Sequence, residues 1–521
     1  NLIVQNSAIR GNSENGLYLS TSNPSIITSA ISYNAGAGVF LTSVASLPNY
    51  NASSISNNLY AIYYPAVNIS IAQHLGTLTL TNNTYNGICL PGGDVTENIR
   101  WNSLSYPIYI FDNVRIGKYY SVCRLTIEPG NSIKMASGKN IQVGFSSGYP
   151  YGGELYAIGV SDSLINFSSI NGIPGGWEGL YFNDLSDYNT ATSVMDYCKV
   201  ENGNTYNMYI ESTNQPSINH CTIQNAVQDG IKFYGAYNTV SSSTISSNGR
   251  YPLYFAEPLT FPTLNGNTYS LNTINMIGYC GGTIGESRTF QNDGIGYHIL
   301  DNIVIGKYYN VSRLTIEPGL TLAFATGKGM QVGYSTGYPF GGELYAVGKS
   351  DSIIIFKPYS SISGDWNGIY FQDQSDYNGA TSQLKYCTVN KGSSYNILCE
   401  NTNSITIDHC TVAYGLTDGI RYNASSGSFT SCAINNNGRY PVYFLDWTSA
   451  PLHSNNTFVG NVINTIALSG GTYSENRTFE KDNADYLVLD NILIGKYYGI
   501  SRITIEPGVT VNFASGKNIQ V

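Results

Sequence analysis

Residues Ile305 to Gly319 read Ile-Gly-Lys-Tyr-Tyr-Asn-Val-Ser-Arg-Leu-Thr-Ile-Glu-Pro-Gly. The same string, with a few substitutions, begins at Ile116 and again at Ile494, so that its copies are 189 positions apart. Within the string, Arg-Leu-Thr-Ile-Glu alternates polar and apolar side chains, which is the pattern of a β-strand with one buried face. The following Pro-Gly ends the strand, because proline has no backbone donor and glycine accepts a positive φ.

This spacing, which we call the period, extends over most of the chain. It relates a Gly-Gly pair, a glutamate, a tryptophan and a cysteine: Gly92, Gly281 and Gly470; Glu97, Glu286 and Glu475; Trp177 and Trp366; Cys198 and Cys387. Residues 1–97 then end one period, 98–286 and 287–475 are full periods, and 476–521 begin a further one. A repeat of this kind predicts one continuous solenoid rather than separate domains. Since 516–521 repeat the interior residues 138–143, we expect the chain to be a segment of a longer protein.

A shorter rhythm lies within each period. A Ser or Cys, any residue, and then Ile or Val recurs at Ser7, Ser29 and Ser53, at Cys198, Cys221 and Ser243, and at Cys387, Cys410 and Cys432. The steps of about 22 residues suit one coil of a β-solenoid and are too short for a pair of helices with turns. Asn15-Gly16, Asp229-Gly230 and Asp418-Gly419 are expected to form left-handed corners between the faces of the coil.

Three motifs carry a resemblance to a known family. They are Leu-Thr-Ile-Glu-Pro-Gly, Gly-Glu-Leu-Tyr-Ala-Ile/Val-Gly, and Trp-x-Gly-Leu/Ile-Tyr-Phe at Trp177 and Trp366. Together they resemble the large secreted right-handed parallel β-helix repeat proteins of bacteria and archaea. The Cys-x-Ile and Asp-Gly-Ile coils are similar to the wider superfamily of carbohydrate-binding proteins, sugar hydrolases and pectate lyases. The resemblance implies an all-β, right-handed parallel β-helix built from these long periods, and it specifies the fold better than the function.

Composition excludes some classes of function. Charged residues are 11% of the chain, and 25 Lys and Arg against 34 Asp and Glu give a net charge of −9. With no basic cluster, the sequence does not predict a nucleic-acid partner. No run of 18 or more apolar residues occurs, so we expect no membrane-spanning helix in this segment.

Two short loops are candidates for metal binding. Asp184 and Asp187 follow one Trp-containing strand, and Asp373 and Asp376 follow the other. Two carboxylates with further oxygens nearby could ligate Ca²⁺, which takes six to eight oxygens. A solvated polar turn is the alternative, because no complete calcium-loop motif is present. Ca²⁺ is the only cofactor that the sequence suggests.

Cysteine and histidine do not predict catalysis. Five of the nine cysteines occupy the inward small position, so that Cys198 should stack on Cys221 in the next coil; disulfide formation stays open. The His220-Cys221 and His409-Cys410 pairs should point to opposite sides of a strand, which prevents a Cys-His nucleophile. No Cys-x-x-Cys or His-Glu-x-x-His zinc spacing occurs.

Tyrosine is unusually frequent, at 44 residues. Tyr119-Tyr120, Tyr308-Tyr309 and Tyr497-Tyr498 recur with the period, as do Arg250-Tyr251-Pro252 and Arg439-Tyr440-Pro441. Outward rows of aromatic rings could stack on sugars or pack on another rod, or could merely cover strand surfaces. Eight Asn-x-Ser/Thr tripeptides permit glycosylation.

These features favour an extracellular or cell-surface protein of structural or adhesive type. Because the motifs return in every period, our first hypothesis is a surface fibre, or a protomer that self-associates into filaments, with no catalytic residues. The alternative is a β-helix protein that binds or degrades polysaccharide. A hydrolase would need paired carboxylates and a lyase would need Ca²⁺-bound carboxylates with a base, and the sequence shows no unique cluster of either kind.

Overall fold

A computed structural model describes residues 2–43, 46, 48–71 and 75–521. The chain forms two compact units, which we call unit 1 (Asn1–Ala256 with Pro262–Asn275) and unit 2 (Glu257–Phe261 with Met276–Val521). Each unit is a parallel β-solenoid in which short strands pair with the strand one coil later in the chain. The predicted all-β fold is therefore confirmed.

Unit 1 contains two short sheets and three longer ones. The short sheets consist of Ile3–Gln5, Ser25–Ile27 and Asn49–Asn51, and of Ala8–Arg10, Ala30–Ser32, Ser54–Ser56 and Thr79–Thr81. The first long sheet contains Leu17–Leu19, Ala37–Leu41, Tyr60–Tyr63, Tyr85–Leu90, Ile108–Ile110, Ser132–Met135, Ile165–Ser169, Cys198–Glu201, Thr222–Gln224, Thr244–Ser246 and Thr268–Ser270. The second contains Gly93–Val95, Val114–Ile116, Asn140–Val143, Gly179–Phe182, Tyr206–Glu211, Asp229–Tyr234 and Leu253–Phe255. The third, which we call the groove sheet, contains Ile99–Trp101, Val122–Ile127, Pro150–Ile158, Val194–Asp196, Ser217–Asn219, Thr239–Ser241 and Thr263–Asn265.

Unit 2 repeats this plan. Its first sheet contains Ile277–Tyr279, Tyr297–Ile299, Thr321–Phe324, Ile354–Pro358, Cys387–Asn390, Thr411–Ala413 and Ala433–Asn435. The second contains Gly282–Ile284, Ile303–Ile305, Met330–Val332, Ile369–Phe371, Tyr395–Glu400, Asp418–Asn423, Val442–Phe444, Ile466–Leu468, Tyr486–Val488 and Val511–Phe513. The groove sheet of unit 2 contains Arg288–Phe290, Val311–Ile316, Pro339–Val347, Gln383–Lys385, Thr406–Asp408, Ser428–Thr430 and Leu452–Ser454. Two short sheets complete the unit: Gly471–Tyr473, Ile492–Ile494 and Ile519–Gln520, and Arg477–Phe479 with Ile503–Ile505.

The coils differ in length more than the sequence rhythm predicts. Ala8 pairs with Ala30 across a plain coil, whereas Tyr156 pairs with Val194 across a much longer one. The longer coils carry insertions between strands, including the 3₁₀ segments Asp184–Ser186 and Tyr188–Thr190 of unit 1 and Asp373–Gly379 of unit 2. The short rhythm of the sequence therefore describes only the plain coils.

Two of the three predicted corners are absent, while Gly16 of the third lies in a bend. Left-handed backbone occurs immediately before the small inward residue, with φ between 46° and 52° at Asn6, Thr28, Ala52, Tyr197, His220, Ser242, Tyr386, His409 and Ser431. Asp229-Gly230 and Asp418-Gly419 instead begin strands. Gly230 is required by close packing, since a Cβ there would lie 2.5 Å from the Pro252 carbonyl oxygen and 2.6 Å from Ile245 Cγ2 of the next coil.

A ladder of buried asparagines closes another corner of the coils. The backbone N–H and the Nδ2 of Asn34 both donate to Asn58 Oδ1, at 3.0 and 2.9 Å, and Asn58 donates to Asn83 in the same way. Asn437 and Asn461 form the same pair in unit 2. Each amide satisfies backbone groups that the corner would otherwise leave buried without a partner. The rest of the interior is apolar and includes the fully buried Trp101, Trp177 and Trp366.

Among the described residues, no helix has the length and apolar character needed to cross a bilayer.

Candidate functional site

Each unit carries a surface groove on its groove sheet, and the two grooves are formed by residues one period apart. The groove of unit 1 has a volume of about 590 Å³ and is lined by Ser70, Asn98, Ile99, Arg100, Val122, Arg124, Thr126, Glu154, Asn189, Thr190 and Ala191. The groove of unit 2 has a volume of about 560 Å³ and is lined by Phe261, Ser287, Arg288, Thr289, Gln291, Val311, Arg313, Thr315 and Glu343. Val122, Arg124, Thr126 and Glu154 correspond to Val311, Arg313, Thr315 and Glu343. Both volumes fall in the range of small-molecule sites.

An arginine and a glutamate on neighbouring strands form the floor of the unit 1 groove. Strand pairing sets Arg124 beside Glu154, and Arg124 Nε donates to Glu154 Oε2 at 2.7 Å. The guanidinium carbon lies 3.8 Å from the ring centroid of Tyr156, which is a cation–π contact. The terminal nitrogens of Arg124 make no hydrogen bond within the described part of the chain and remain able to donate to a ligand.

The same floor recurs in unit 2. Arg313 Nε donates to Glu343 Oε2 at 2.6 Å, and its guanidinium lies 5.3 Å from the Tyr345 ring. The hydrogen bond to Glu343 raises the pKa of Arg313, so that this cation stays charged. Both glutamates also accept a backbone N–H from the next coil, from Thr192 to Glu154 at 2.8 Å and from Thr381 to Glu343 at 3.0 Å. Each carboxylate is therefore held in one place by two coils.

An antiparallel projection stands beside each groove, and we call it the aromatic arm. In unit 1, Lys118–Tyr119 and Phe145–Ser146 pair antiparallel with the start of Pro150–Ile158. Its rings are Tyr119, Tyr120, Tyr149 and Tyr151; the first three are about half exposed, at 53, 53 and 52%. In unit 2 the arm carries Tyr308, Tyr309, Tyr338 and Phe340.

The arm adjoins the groove through Val122 and the 3₁₀ segment. Val122, which lines the groove, closely follows Tyr120 in the chain. A Cβ added at Gly152 would touch both Val122 and Tyr188, and Asn189 next to Tyr188 also lines the groove. The Tyr119-Tyr120 pair identified in the sequence thus lies, half exposed, beside the groove of unit 1.

Among the residues that the structure describes, one carboxylate lines each groove. Glu154 in unit 1 and Glu343 in unit 2 are both engaged by arginine. Hydrolysis of a glycosidic bond by the usual route uses two carboxyl groups on opposite sides of the bond. The arrangement can donate and accept hydrogen bonds at fixed positions, and it can present aromatic faces at the rim.

The predicted calcium loops use some of their carboxylates in protein contacts. Asp187 Oδ2 accepts from Thr213 Oγ1 and from the Asn214 N–H, at 3.1 and 3.2 Å. Asp376 Oδ2 accepts from the Asn403 N–H at 2.9 Å. Asp184 and Asp373 lie in the first turn of the 3₁₀ segments. No group of three or more His, Cys, Asp or Glu side chains suited to a metal occurs among the described residues. Calcium binding at these loops stays a prediction.

The cysteines form columns in the interior. Lys199 pairs with Thr222, which places Cys198 one coil from Cys221. The thiols of Cys198 and Cys221 interact. All nine cysteines are free thiols. Cys198 Sγ donates to the Ala157 carbonyl at 3.2 Å. His220 points outward and stacks on Tyr197 at 4.5 Å, while Cys221 is buried. The pair is separated as expected, although the cause is a left-handed corner at His220 rather than strand alternation.

The Arg-Tyr-Pro motifs contain an ion pair that sequence reasoning missed. The Asp229 carboxylate is fully buried and accepts Arg250 Nε and Nη2 at 2.9 and 2.5 Å. Arg439 and Arg421 both bind Asp418 in unit 2. Reasoning from sequence also missed Arg124 and Glu154 as site residues. The available signal was that this Arg and this Glu both recur one period later on the outward side of alternating strands.

Comparison with known proteins agrees with the fold. Residues 349–503 match the family model described as "Right handed beta helix region". The chain thus has the right-handed parallel β-helix fold that its motifs predicted. No curated protein matches the chain.

Solved structures give weak matches. Tailspike protein 3 of bacteriophage CBA120 matches at 9% identity and a TM-score of 0.20, over 79% of this chain and 56% of that one. The catalytic domain of a GH87 α-1,3-glucanase in complex with nigerose matches at 15% identity and a TM-score of 0.15, over 83% of this chain and 64% of that one. The chain thus spans less than two thirds of the length of either.

Proposed function

We propose that each unit binds a polysaccharide in its groove without cleaving it, as part of an extracellular or cell-surface protein. The observation that carries the proposal is the pairing of a groove that has an Arg–Glu floor with an exposed aromatic arm, present in both units at the same spacing. Sugars present hydroxyl groups around the ring and C–H groups on its faces. A site that combines fixed hydrogen-bonding groups with aromatic rings matches both kinds of surface.

The groove supplies the polar half of this recognition. Arg124 and Arg313 offer terminal guanidinium donors whose orientation is fixed by Glu154 and Glu343. The Thr126 and Thr315 hydroxyls line the same grooves and can donate or accept. Because the arginines are already anchored through Nε, binding a ligand costs little additional side-chain entropy.

The carboxylates support the non-catalytic part of this proposal. Glu154 and Glu343 are each tied to an arginine and to a backbone N–H, and the described residues that line the two grooves include no second carboxylate. The runner-up within this proposal is a polysaccharide lyase or hydrolase. The comparisons give no support to a filament or surface-fibre role, and we do not retain it as the main hypothesis.

A glycan array probed with the purified 521-residue chain tests the proposal. We expect retention on at least one polysaccharide, with loss of signal for the double variant Tyr119→Ala, Tyr308→Ala. Tyr18→Ala is the matched control, because Tyr18 is 67% exposed and lies on a different sheet. Binding by the wild type and the control, but not by the double variant, supports the proposal. Absence of binding to every glycan overturns it. Release of reducing ends or unsaturated sugars would replace it with the enzymatic alternative.

A further inference from the structure

One of the positions at which the two grooves differ exchanges a cation for a hydroxyl. Arg100 lines the groove of unit 1, and the residue one period later, which lines the groove of unit 2, is Thr289. Both occupy the same place in the sheet, since Arg100 pairs with Thr126 and Thr289 pairs with Thr315. One groove therefore presents a guanidinium where the other presents a hydroxyl.

Arg100 is held weakly enough to exchange its partner. Its side chain is 60% exposed, and its contact is a single hydrogen bond from Nη1 to Glu128 Oε1 at 2.5 Å. An exposed ion pair of this kind contributes little to stability, because water screens both charges. Glu128 is outside the groove lining, so the guanidinium can turn from Glu128 to a ligand without emptying a buried site.

Arg124 supplies a second set of donors in the same groove. Its Nε is occupied by Glu154, while its terminal nitrogens make no hydrogen bond within the described residues. Arg100 pairs with Thr126, and Arg124 stands two positions before Thr126 on the same strand, so the two arginines are diagonal neighbours on one face of the sheet. Long side chains reach across such a diagonal. Two guanidinium groups on one face of the sheet can hold one anionic group between them, and guanidinium geometry matches a carboxylate in particular.

Unit 2 lacks this arrangement in the described residues. Arg288 does line its groove, but the guanidinium packs over Phe261 at 5.7 Å and donates to the Ser287 carbonyl at 3.0 Å. Glu317, which corresponds to Glu128, accepts the Asn292 N–H at 2.6 Å. The Arg288 guanidinium is thus engaged by residues of its own unit, whereas the Arg100 side chain is mostly exposed.

We propose that Arg100 determines specificity, so that the groove of unit 1 prefers a sugar bearing an anionic group, whereas the groove of unit 2 makes no such distinction. This inference rests on the proposed polysaccharide-binding function. The anionic group is a uronic acid carboxylate or a sulfate ester, since both would accept from the two guanidinium groups. The neutral remainder of the sugar meets the same Thr, Arg and Glu groups in either groove.

Reciprocal substitution tests the proposal within one chain. Calorimetric titrations would use three probes: a hexuronate oligosaccharide, its carboxyl-reduced neutral counterpart, and a sulfated form of that counterpart. We expect the wild type to bind the hexuronate at one site about tenfold more tightly than the reduced form, the difference expected from one charge-assisted hydrogen bond. Arg100→Thr should abolish that preference while neutral binding is kept. Thr289→Arg should create it at the second site.

The outcomes are distinguishable. An unchanged ratio of hexuronate to neutral affinity in Arg100→Thr, with neutral binding intact, overturns the role of Arg100 alone. No binding of any probe to the wild type overturns this inference together with the proposed function. The sulfated probe identifies the source of the anion: tighter binding than the hexuronate indicates a sulfate ester, and weaker binding indicates a carboxylate. If the melting temperature of each variant equals that of the wild type within experimental error, the variant is folded. Thr289→Arg tests the proposal even if Arg100→Thr folds poorly.

Discussion

Arg124 and Glu154 lie on neighbouring strands of unit 1, with Arg124 Nε donating to Glu154 Oε2 at 2.7 Å. Glu154 is only 8% exposed, and its counterpart one period later, Glu343, is 5% exposed and binds Arg313 in the same way. A nearly buried carboxylate that is satisfied by a guanidinium and by a backbone N–H is a fixed element of the fold. The Arg–Glu pair at the floor of each groove is therefore in place without a ligand.

The first prediction concerns that carboxylate. Glu343→Gln removes a charge-assisted bond to Arg313 but keeps an amide oxygen for the Thr381 N–H. We expect the free energy of unfolding to fall by about 1 kcal/mol, less than for a fully buried hydrogen bond to a charged group. The reason is that the Arg313 side chain is 49% exposed, so water partly screens its charge. Urea denaturation measures it. Glu286→Gln, in a solvent-exposed pair with Lys307, should cause no change, and an equal effect of both substitutions would contradict the argument.

The second prediction concerns close packing between coils. Gly419→Ala would bring a Cβ to 2.5 Å from the Pro441 carbonyl oxygen and 2.7 Å from Ile434 Cγ2. Overpacking against a backbone atom should destabilise the protein by about 2 kcal/mol. Gly495→Ala is the control, because nothing lies within 4 Å of its Cβ position. Thermal melting should give a lower melting temperature for Gly419→Ala than for Gly495→Ala. Equal melting temperatures would show that the coils can move apart at little cost in free energy.

The third prediction concerns the asparagine ladder. Asn437 is 1% exposed, donates to Asn461 Oδ1, and accepts the Gly415 N–H at 3.0 Å. Asn437→Ala leaves several buried backbone and side-chain groups without partners, and we expect a loss of about 3 kcal/mol. Asn512→Ala, at an exposed position, should be close to neutral. A small effect at Asn437 would mean that water replaces the amide inside the coil.

The fourth prediction concerns the thiols. Burial raises the pKa of the Cys123 thiol to about 12 from an ordinary value of 9.0. Thiolate is then scarce in the folded protein at pH 8, so aromatic disulfide reagents should label Cys123 only after denaturation. The unfolded chain loses this proton above pH 9.0 while the folded chain keeps it. The contribution to stability is therefore complete below pH 9.0 and is lost progressively up to about pH 12. Rapid labelling of native protein at pH 8 would contradict this.

Much of the fold follows from the sequence, because a coil can bury its apolar side chains only in a fixed pattern. The inward positions of Ile31, Ile223 and Val412 were predictable from the alternation of small, variable and apolar residues. The corners were not, because Asp229-Gly230 has the composition of a turn. In the fold, glycine at that site makes room for the next coil, and the aspartate binds Arg250.

The site was only partly predictable. The tyrosine pairs were visible as a periodic feature, and their exposure beside a groove agrees with one of the roles considered for them. The Arg124–Glu154 pair joins residues 30 positions apart, and no local pattern shows that an insertion between strands brings them side by side. Predicting that Arg124 and Glu154 lie side by side would have required the length of the coil between their strands.

The most direct test of the account is the stoichiometry of sugar binding. We predict that a short neutral oligosaccharide chosen from the array binds the wild type at two sites per chain by titration calorimetry, one in each groove. Arg313→Gln should leave one site, and the double variant with Arg124→Gln should leave none while retaining the far-ultraviolet spectrum of a β-helix. Binding that persists at full stoichiometry in the double variant would contradict the assignment of the grooves.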